Sequence, residues 1–238
     1  MNQPITIAHL YPREMSIYGD MGNIITLVKR LEWRRLRAVV QAVEPGAPVN
    51  WDEVDLVFGG GGQDSGQSVV AADLLTRGQK FRELATAGVP MLLICGLYQL
   101  FGHEFLTAAG ERLEGIGVFN AVTRAEGVRM IGNLVIDSDL GQLVGFENHS
   151  GQTILGEGQA ALGRTLKGFG NDPTSRREGA VSGQAVGTYL HGPVLPKNPA
   201  LADRLLLAAL KRHGVHELEP LDDRLELAAA RLAAGRPQ

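Results

Sequence analysis

The stretch Leu92-Leu93-Ile94-Cys95-Gly96-Leu97-Tyr98-Gln99-Leu100-Phe101-Gly102 constrains the fold more than any other part of the chain. An apolar run leads into the only cysteine among 238 residues, and a glycine follows at once. A short apolar run that ends at a turn residue reads as a buried strand. Gly96 permits a sharp corner, and the residues beyond it can wind as a helix. In open α/β sheets the carboxyl edge of the strands is where ligands sit. A thiol at such a strand-to-helix corner is exposed, and the helix N-terminus favours its thiolate form. Serine hydrolases place their nucleophile on an elbow of this kind. A lone cysteine after a hydrophobic strand is also a common small core residue, so the rest of the chain has to decide between the two.

The chain is long enough for one large α/β domain with a sizeable core. Its 44% hydrophobic and 21% charged residues are ordinary for a globular protein. A net charge of −3 gives no footprint for nucleic acid. One cysteine excludes an internal disulfide framework and a cysteine-based zinc site. No metal site is expected. The first residues lack the apolar core of a signal peptide, and no run is long enough to span a membrane. The expected compartment is the cytoplasm, where a free thiol stays reduced.

In chain order, Ile5–Leu10 reads as a strand and Tyr18-Gly-Asp-Met-Gly-Asn23 as a turn, with Asp20 or Asn23 able to cap a helix over Ile24–Arg37. Strands follow at Ala38–Val43 and Val54–Phe58. The latter ends in Gly59-Gly60-Gly61-Gly62-Gln63-Asp64. A glycine run after a strand lets backbone N–H groups converge on an anion or oxyanion, though a plain flexible turn is the other reading. No Gly-Lys-Ser/Thr ending makes it a nucleotide-phosphate loop. Val69–Ala87 reads as a helix stopped by Gly88–Pro90, and the elbow helix is expected to continue through Phe101–Ala109 to Gly110. This β-α-β-β-α-β-α order predicts a mostly parallel central sheet flanked by helices. Short strands at Gly117–Val122, Met130–Ile136, Leu143–Phe146 and Ala185–Leu190 add antiparallel or mixed sheet, and Gly163–Gly183 reads as a polar loop. Helices are expected over Pro199–His213 and Asp222–Ala234, with the final residues frayed.

A cysteine nucleophile needs a base, most often histidine. His213 and His216 lie in a polar connection, His103 lies beyond the thiol, and His9 sits in the first strand. His149 and His191 each follow a strand. His191 is the stronger candidate, because Val186-Gly-Thr-Tyr-Leu190 is a strand pattern and Gly192–Pro193 turns the chain at once. Its imidazole then stands at a strand end, as Cys95 does. A structural histidine is the alternative.

Together these motifs resemble the class I glutamine amidotransferases. Leu92–Gly102 looks like their nucleophile elbow, Gly59–Gly62 like the glycine loop before it, and Gly187–Gly192 like the histidine motif. Gly145–Gly151 (GFENHSG) narrows the likeness to the cobyric acid synthase branch. Tyr18–Asn23 and Gly127–Asp137 (GVRMIGNLVID) narrow it to the glutaminase subunits of lipid II isoglutaminyl synthase. The resemblance runs from about residue 5 to about residue 212. It implies an amidotransferase domain over residues 1–212, with 213–238 a helical tail packed on it or on a partner.

What the resemblance implies chemically is hydrolysis of glutamine to glutamate and ammonia by a Cys95–His191 dyad. The oxyanion would be held by the N–H of Gly96 and one N–H from Gly60, Gly61 or Gly62. Many relatives carry a glutamate two residues after the histidine. Here that position is Pro193, so another group must orient His191, such as a backbone carbonyl or Glu147; Glu147 is more simply read as structural. Gln99 is expected to contact substrate. Arg129 is the candidate partner for the substrate carboxylate, since guanidinium binds carboxylates bidentately, and Arg124 is its rival. No ATP site is visible. No cofactor is expected in this chain, and ATP and Mg²⁺ are expected on a separate Mur-ligase-like ATPase partner that would form a heterodimer and amidate the D-glutamate of the peptidoglycan stem peptide. The alternatives are an amidotransferase of another pathway, of the cobyrinic or cobyric acid type, and a regulatory module that kept the fold without turnover.

Overall fold

The computed structural model describes residues 3–16 and 19–236, with only the backbone of Asp64; Tyr18 of the turn motif and the terminal Pro237–Gln238 lie outside them. The first strand β1 (Ile5–Leu10), helix α1 (Met21–Trp33), β2 (Ala38–Val43), β3 (Leu56–Gly59), α2 (Asp64–Thr86), β4 (Met91–Ile94) and α3 (Gly96–Leu100) follow the order read from the sequence. Asp20 occupies the position before α1 but makes no capping bond to it.

Beyond α3 come β5 (Glu104–Leu106), β6 (Arg112–Glu114), β7 (Ala121–Ser138), β8 (Gly141–Leu155), β9 (Gly163–Lys167), β10 (Arg177–Glu178), β11 (Ala180–Ser182) and β12 (Ala185–Thr188). Helices α4 (Pro199–Lys211) and α5 (Arg224–Gly235) close the chain. The central sheet has the order β11-β12-β4-β3-β1-β2, parallel except for β11. Strands β3, β4 and β12 are buried at every residue, which in a parallel sheet means cover on both faces. The edge strand β2 is half exposed.

The strand expected at Ala185–Leu190 as added antiparallel or mixed sheet is instead β12, which ends at Thr188 and runs parallel beside β4 in the central sheet. Strands β5 to β10 form a second sheet, ordered β10-β9-β7-β5-β6 with β8 on β7. It is antiparallel apart from the β5–β7 pair. Of the two short strands expected at Gly117–Val122 and Met130–Ile136, residues 117–120 form no strand, while Ala121–Val122 and Met130–Ile136 belong to one long strand, β7, broken by a bulge. The register jumps from Ala125 opposite Gly151 to Met130 opposite His149, so residues 126–129 swell out opposite Ser150. The region 163–183 is a loop only in part: residues 168–176 are loop, but the rest carries β9, β10 and β11, where Thr165 is buried between exposed neighbours.

The elbow helix stops at Leu100 rather than continuing to Ala109. Its end is captured by distant backbone. Ile116 N donates to Leu100 O, Val118 and Phe119 N to Phe101 O, and Gly117 N to Gly102 O. A side chain at Gly102 would press on the Ala121 carbonyl at 2.7 Å. Glu104–Leu106 then pairs with β6 and β7 as a strand. The apolar spacing of Phe101, Phe105 and Ala109 suits a helix, but these backbone partners arrive from the next segment.

The C-terminal segment folds back onto this body. Arg30, with a side chain 1% exposed, donates from Nε and Nη2 to Asp203 at 2.7 Å and from Nη1 to Asp223 at 2.6 Å. Arg34 Nε donates to Glu219 O at 2.7 Å, and Arg34 Nη2 to Asp203 at 2.7 Å. Helix α5 packs against β8 and the turn Leu195–Lys197. Removing one member of a buried ion cluster strands the others. Because the two aspartates are about a quarter exposed, we expect Arg30→Met to cost about 2–3 kcal/mol, below the cost for a fully buried pair. It should also open residues 213–236 to protease. Denaturant unfolding and limited proteolysis check this; unchanged stability and cleavage would count against it.

Candidate active site

Strand register brings two loops to either side of the thiol. Thr188, the last residue of β12, lies beside Ile94, the last of β4, and Gly59 of β3 lies beside Leu93. Cys95 therefore emerges between two neighbours: the glycine loop leaving β3 on one side, and Tyr189-Leu190-His191 leaving β12 on the other. Cys95 N donates to Thr188 O at 2.9 Å, which fixes the corner. Cys95 itself has φ +48° and ψ −102°, a conformation that non-glycine residues rarely adopt. Strain of this kind, on the order of 1–3 kcal/mol, is kept only where the surroundings impose it.

The thiol opens into a cavity of about 490 Å³. Gly62, Gln67, Gln99, Arg129, Asn148 and His149 are among the other lining residues. Arg129 stands on the β7 bulge and donates from Nε to Asn148 Oδ1 at 2.9 Å. Its rival Arg124 is exposed, pairs in register with Gln152 and does not line the cavity.

Gln99 belongs to a buried chain of polar groups. Gln67 Nε2 donates to Gln99 Oε1 at 2.8 Å and to Gly96 O at 3.1 Å. Gln99 Nε2 donates to the Tyr189 hydroxyl at 3.1 Å. Thr153 and Thr123 continue the chain at 2.6 and 2.8 Å. This sets the amide orientation of Gln99 and ties the elbow helix to β12. Gly151 has to be glycine here, because a Cβ would strike Gln99 Nε2.

His191 is 3% exposed and does not itself line the cavity. Its main chain is fastened to β8: His191 N donates to Phe146 O at 2.8 Å, and Phe146 N to His191 O at 3.2 Å. Burial, with His149 nearby, lowers its pKa to about 3, so the ring is neutral at pH 7. A neutral imidazole is the form that can accept a proton. His149 is placed differently. It stacks on Tyr189 at 3.6 Å between ring centres, its Nδ1 is 2.8 Å from Gly151 O, and its Nε2 is 3.6 Å from Glu147. Glu147 accepts the N–H groups of Phe169 and Gly170 at 2.7 and 2.9 Å, so its contacts fasten the β9–β10 connection and the His149 ring.

The glycine loop divides its roles. Gly61 N–H is donated to Asp20 Oδ2 at 2.8 Å and is thereby occupied. Gly60 is pressed against Met15 O and Asp20, and neither Gly60 nor Gly61 lines the cavity. Gly62 does line it, and its N lies 3.2 Å from the place a Cβ on Gly96 would take. Of the three loop amides, Gly62 is the one set next to Gly96.

Several residues that shape the site carry no local signal. Gln67 looks like any helix residue. Glu178 is fully buried and accepts from Tyr189 N at 2.6 Å and Thr188 Oγ1 at 3.0 Å, which holds the turn before His191. Burial, assisted by the neighbouring Glu147, pushes its pKa up to about 8. Among the described residues no cluster of three or more His, Cys, Asp or Glu could hold a metal, and no helix is long and apolar enough to cross a membrane.

A thiol on a strained elbow, between a glycine loop and a histidine turn at the edge of a parallel sheet, defines a glutamine amidotransferase-type site. Residues 6–199 match the CobB/CobQ-like glutamine amidotransferase domain, and the chain belongs to that family. It is 36% identical over 98% of its length to the lipid II isoglutaminyl synthase (glutamine-hydrolyzing) subunit GatD of Staphylococcus aureus strain N315, covering 96% of that protein. It is 37% identical over 87% of its length to the subunit of the same name from Streptococcus pneumoniae, covering 81% of that protein. The fold is also that of a glutamine amidotransferase from Thermotoga maritima (TM-score 0.53, 16% identity, 98% of this chain and 95% of that one).

Proposed function

We propose that this chain is the glutaminase subunit of a lipid II isoglutaminyl synthase, hydrolysing glutamine at Cys95 and passing the ammonia to a partner. The observation that carries the reading is the Cys95 corner: a strained thiol facing a cavity that also holds Gln99 and Arg129. The near-full-length likeness to two proteins bearing that subunit name supports the pathway.

In this reading His191 takes the thiol proton and the thiolate adds to the side-chain amide carbon. The N–H groups of Gly96 and Gly62 hold the oxyanion, each worth about 3–4 kcal/mol in the barrier. His191 returns the proton to the leaving nitrogen, and ammonia departs from a γ-glutamyl thioester. Water, deprotonated by His191, then releases glutamate and restores the thiol. Gln99 and Arg129 hold the substrate, with Arg129 on its α-carboxylate. The chain needs no cofactor for these steps. ATP and Mg²⁺ belong to a Mur-ligase-like ATPase subunit, which activates the D-glutamate carboxyl of the lipid II stem peptide and forms D-isoglutamine with the delivered ammonia.

Reconstitution tests this. With that ATPase subunit, ATP, Mg²⁺, lipid II and glutamine, the chain should support amidation. Cys95→Ala should abolish it with glutamine and spare it with ammonium salt. Amidation that never depends on this chain would overturn the reading. For Arg129→Ala we expect KM for glutamine to rise about tenfold or more with kcat little changed, the pattern of a lost ground-state contact. An unchanged KM would remove Arg129 from the site.

A further inference from the structure

Asp20 and Asn23 of the Tyr18–Asn23 motif take no part in the chemistry above, yet their side chains reach both loops that flank the thiol. We propose that the first turn of α1 is a positioning device for the reaction: Asp20 sets the glycine loop so that Gly62 stands beside Gly96, and Asn23 sets the chain that leaves His191. The inference rests on the glutaminase reading of the preceding subsection.

Asp20 and Asn23 are both fully buried. Asp20 is the residue from which α1 starts, but its carboxylate turns away from the helix and accepts the Gly61 N–H at 2.8 Å. Its Oδ2 lies 2.7 Å from where a Cβ on Gly60 would be, so the loop closes on the carboxylate with no space to spare. Met15 backs the same loop, with its side chain against Gly62 and Gly96. Three residues on, Asn23 Oδ1 accepts the N–H of Leu195 at 2.9 Å. Gly22 between them is packed so closely on Pro193 that a Cβ would strike the ring. Pro193, two residues after His191, is thereby packed on α1. One helical turn therefore fixes Gly61 before the thiol and Leu195 after the histidine. An oxyanion donor acts through its position, and a misplacement of about 1 Å costs on the order of 100-fold in rate.

Two substitutions separate positioning from charge or packing. Asp20→Asn keeps an acceptor of the same reach for Gly61. Asp20→Glu keeps the charge but drives the carboxylate into Gly60. The reagent is 6-diazo-5-oxo-L-norleucine, whose keto oxygen occupies the oxyanion position, with iodoacetamide as a thiol reagent that needs no oxyanion donor. On the full chain we expect Asp20→Glu to lower the maximal inactivation rate on the order of 100-fold, with the half-saturating concentration within about threefold and iodoacetamide alkylation unchanged. Asp20→Asn should stay within about fivefold of wild type. Asn23→Leu should behave like Asp20→Glu, and Asn23→Asp like wild type. Equal rates for Asp20→Glu and wild type, or a larger loss for Asp20→Asn than for Asp20→Glu, would overturn the proposal. Where a variant does not fold, amide hydrogen exchange on wild type and Asp20→Asn decides: a Gly61 N–H exchanging at the unstructured rate in wild type overturns it. If the wild-type thiol ignores the glutamine analogue altogether, the glutaminase reading itself has failed, which is a different result.

Discussion

We expect Cys95→Ala to abolish glutamine hydrolysis, by at least about four orders of magnitude in kcat, with the fold kept. The nucleophile has no substitute, since this is the only cysteine in the chain. Removing the nucleophile of a hydrolytic site leaves only what oxyanion donors and binding supply. Stability should change little. Alanine keeps the backbone at φ +48°, and the 5%-exposed thiol loses one atom from the cavity wall. The variant should still bind glutamine through Arg129 and Gln99. Ammonia release, followed beside thermal unfolding, is the check. Turnover near the wild-type level would remove Cys95 from the reaction.

His191→Asn is the second large effect, with kcat down about 10²–10⁴-fold and KM within a few-fold. Asparagine fits a buried polar position and leaves the two main-chain bonds to Phe146 in place. His149→Asn is the informative companion. That ring is wedged between Tyr189, Gly151 O and Glu147. Its loss should loosen the cavity wall and raise KM more than it lowers kcat. The reverse ordering, with His149→Asn the more damaging to kcat, would exchange the roles of the two histidines.

The sequence made β1, β2, β3 and β4 legible as short, mostly apolar runs punctuated by glycine or proline, but not that β11 and β12 complete the same sheet. The Ile5–Leu10 and Ala38–Val43 strands have the expected bounds. Cys95 and Gly62 share a cavity, and His191 follows three residues after the strand beside β4, because neighbouring parallel strands finish at one edge. What stayed hidden depends on partners far along the chain. The elbow helix ends where Ile116–Phe119 takes its carbonyls. The 163–183 region has the composition of a loop but gains strand pairing from β7 and β12. The division of labour among Gly60, Gly61 and Gly62 is invisible in a run of identical residues. It is decided by Asp20, which reads locally as a helix cap and acts across 41 positions instead. Glu178 gives no local signal either, since it acts through the backbone of Tyr189.

In the proposed reaction Cys95 is the nucleophile toward the glutamine side chain. The most direct test treats the chain with 6-diazo-5-oxo-L-norleucine and maps the adduct by mass spectrometry, with and without excess L-glutamine. One adduct per chain is expected, on Cys95, suppressed by L-glutamine and not by L-glutamate at the same concentration. No adduct on Cys95, or one formed at the same rate in the presence of saturating glutamine, would contradict it.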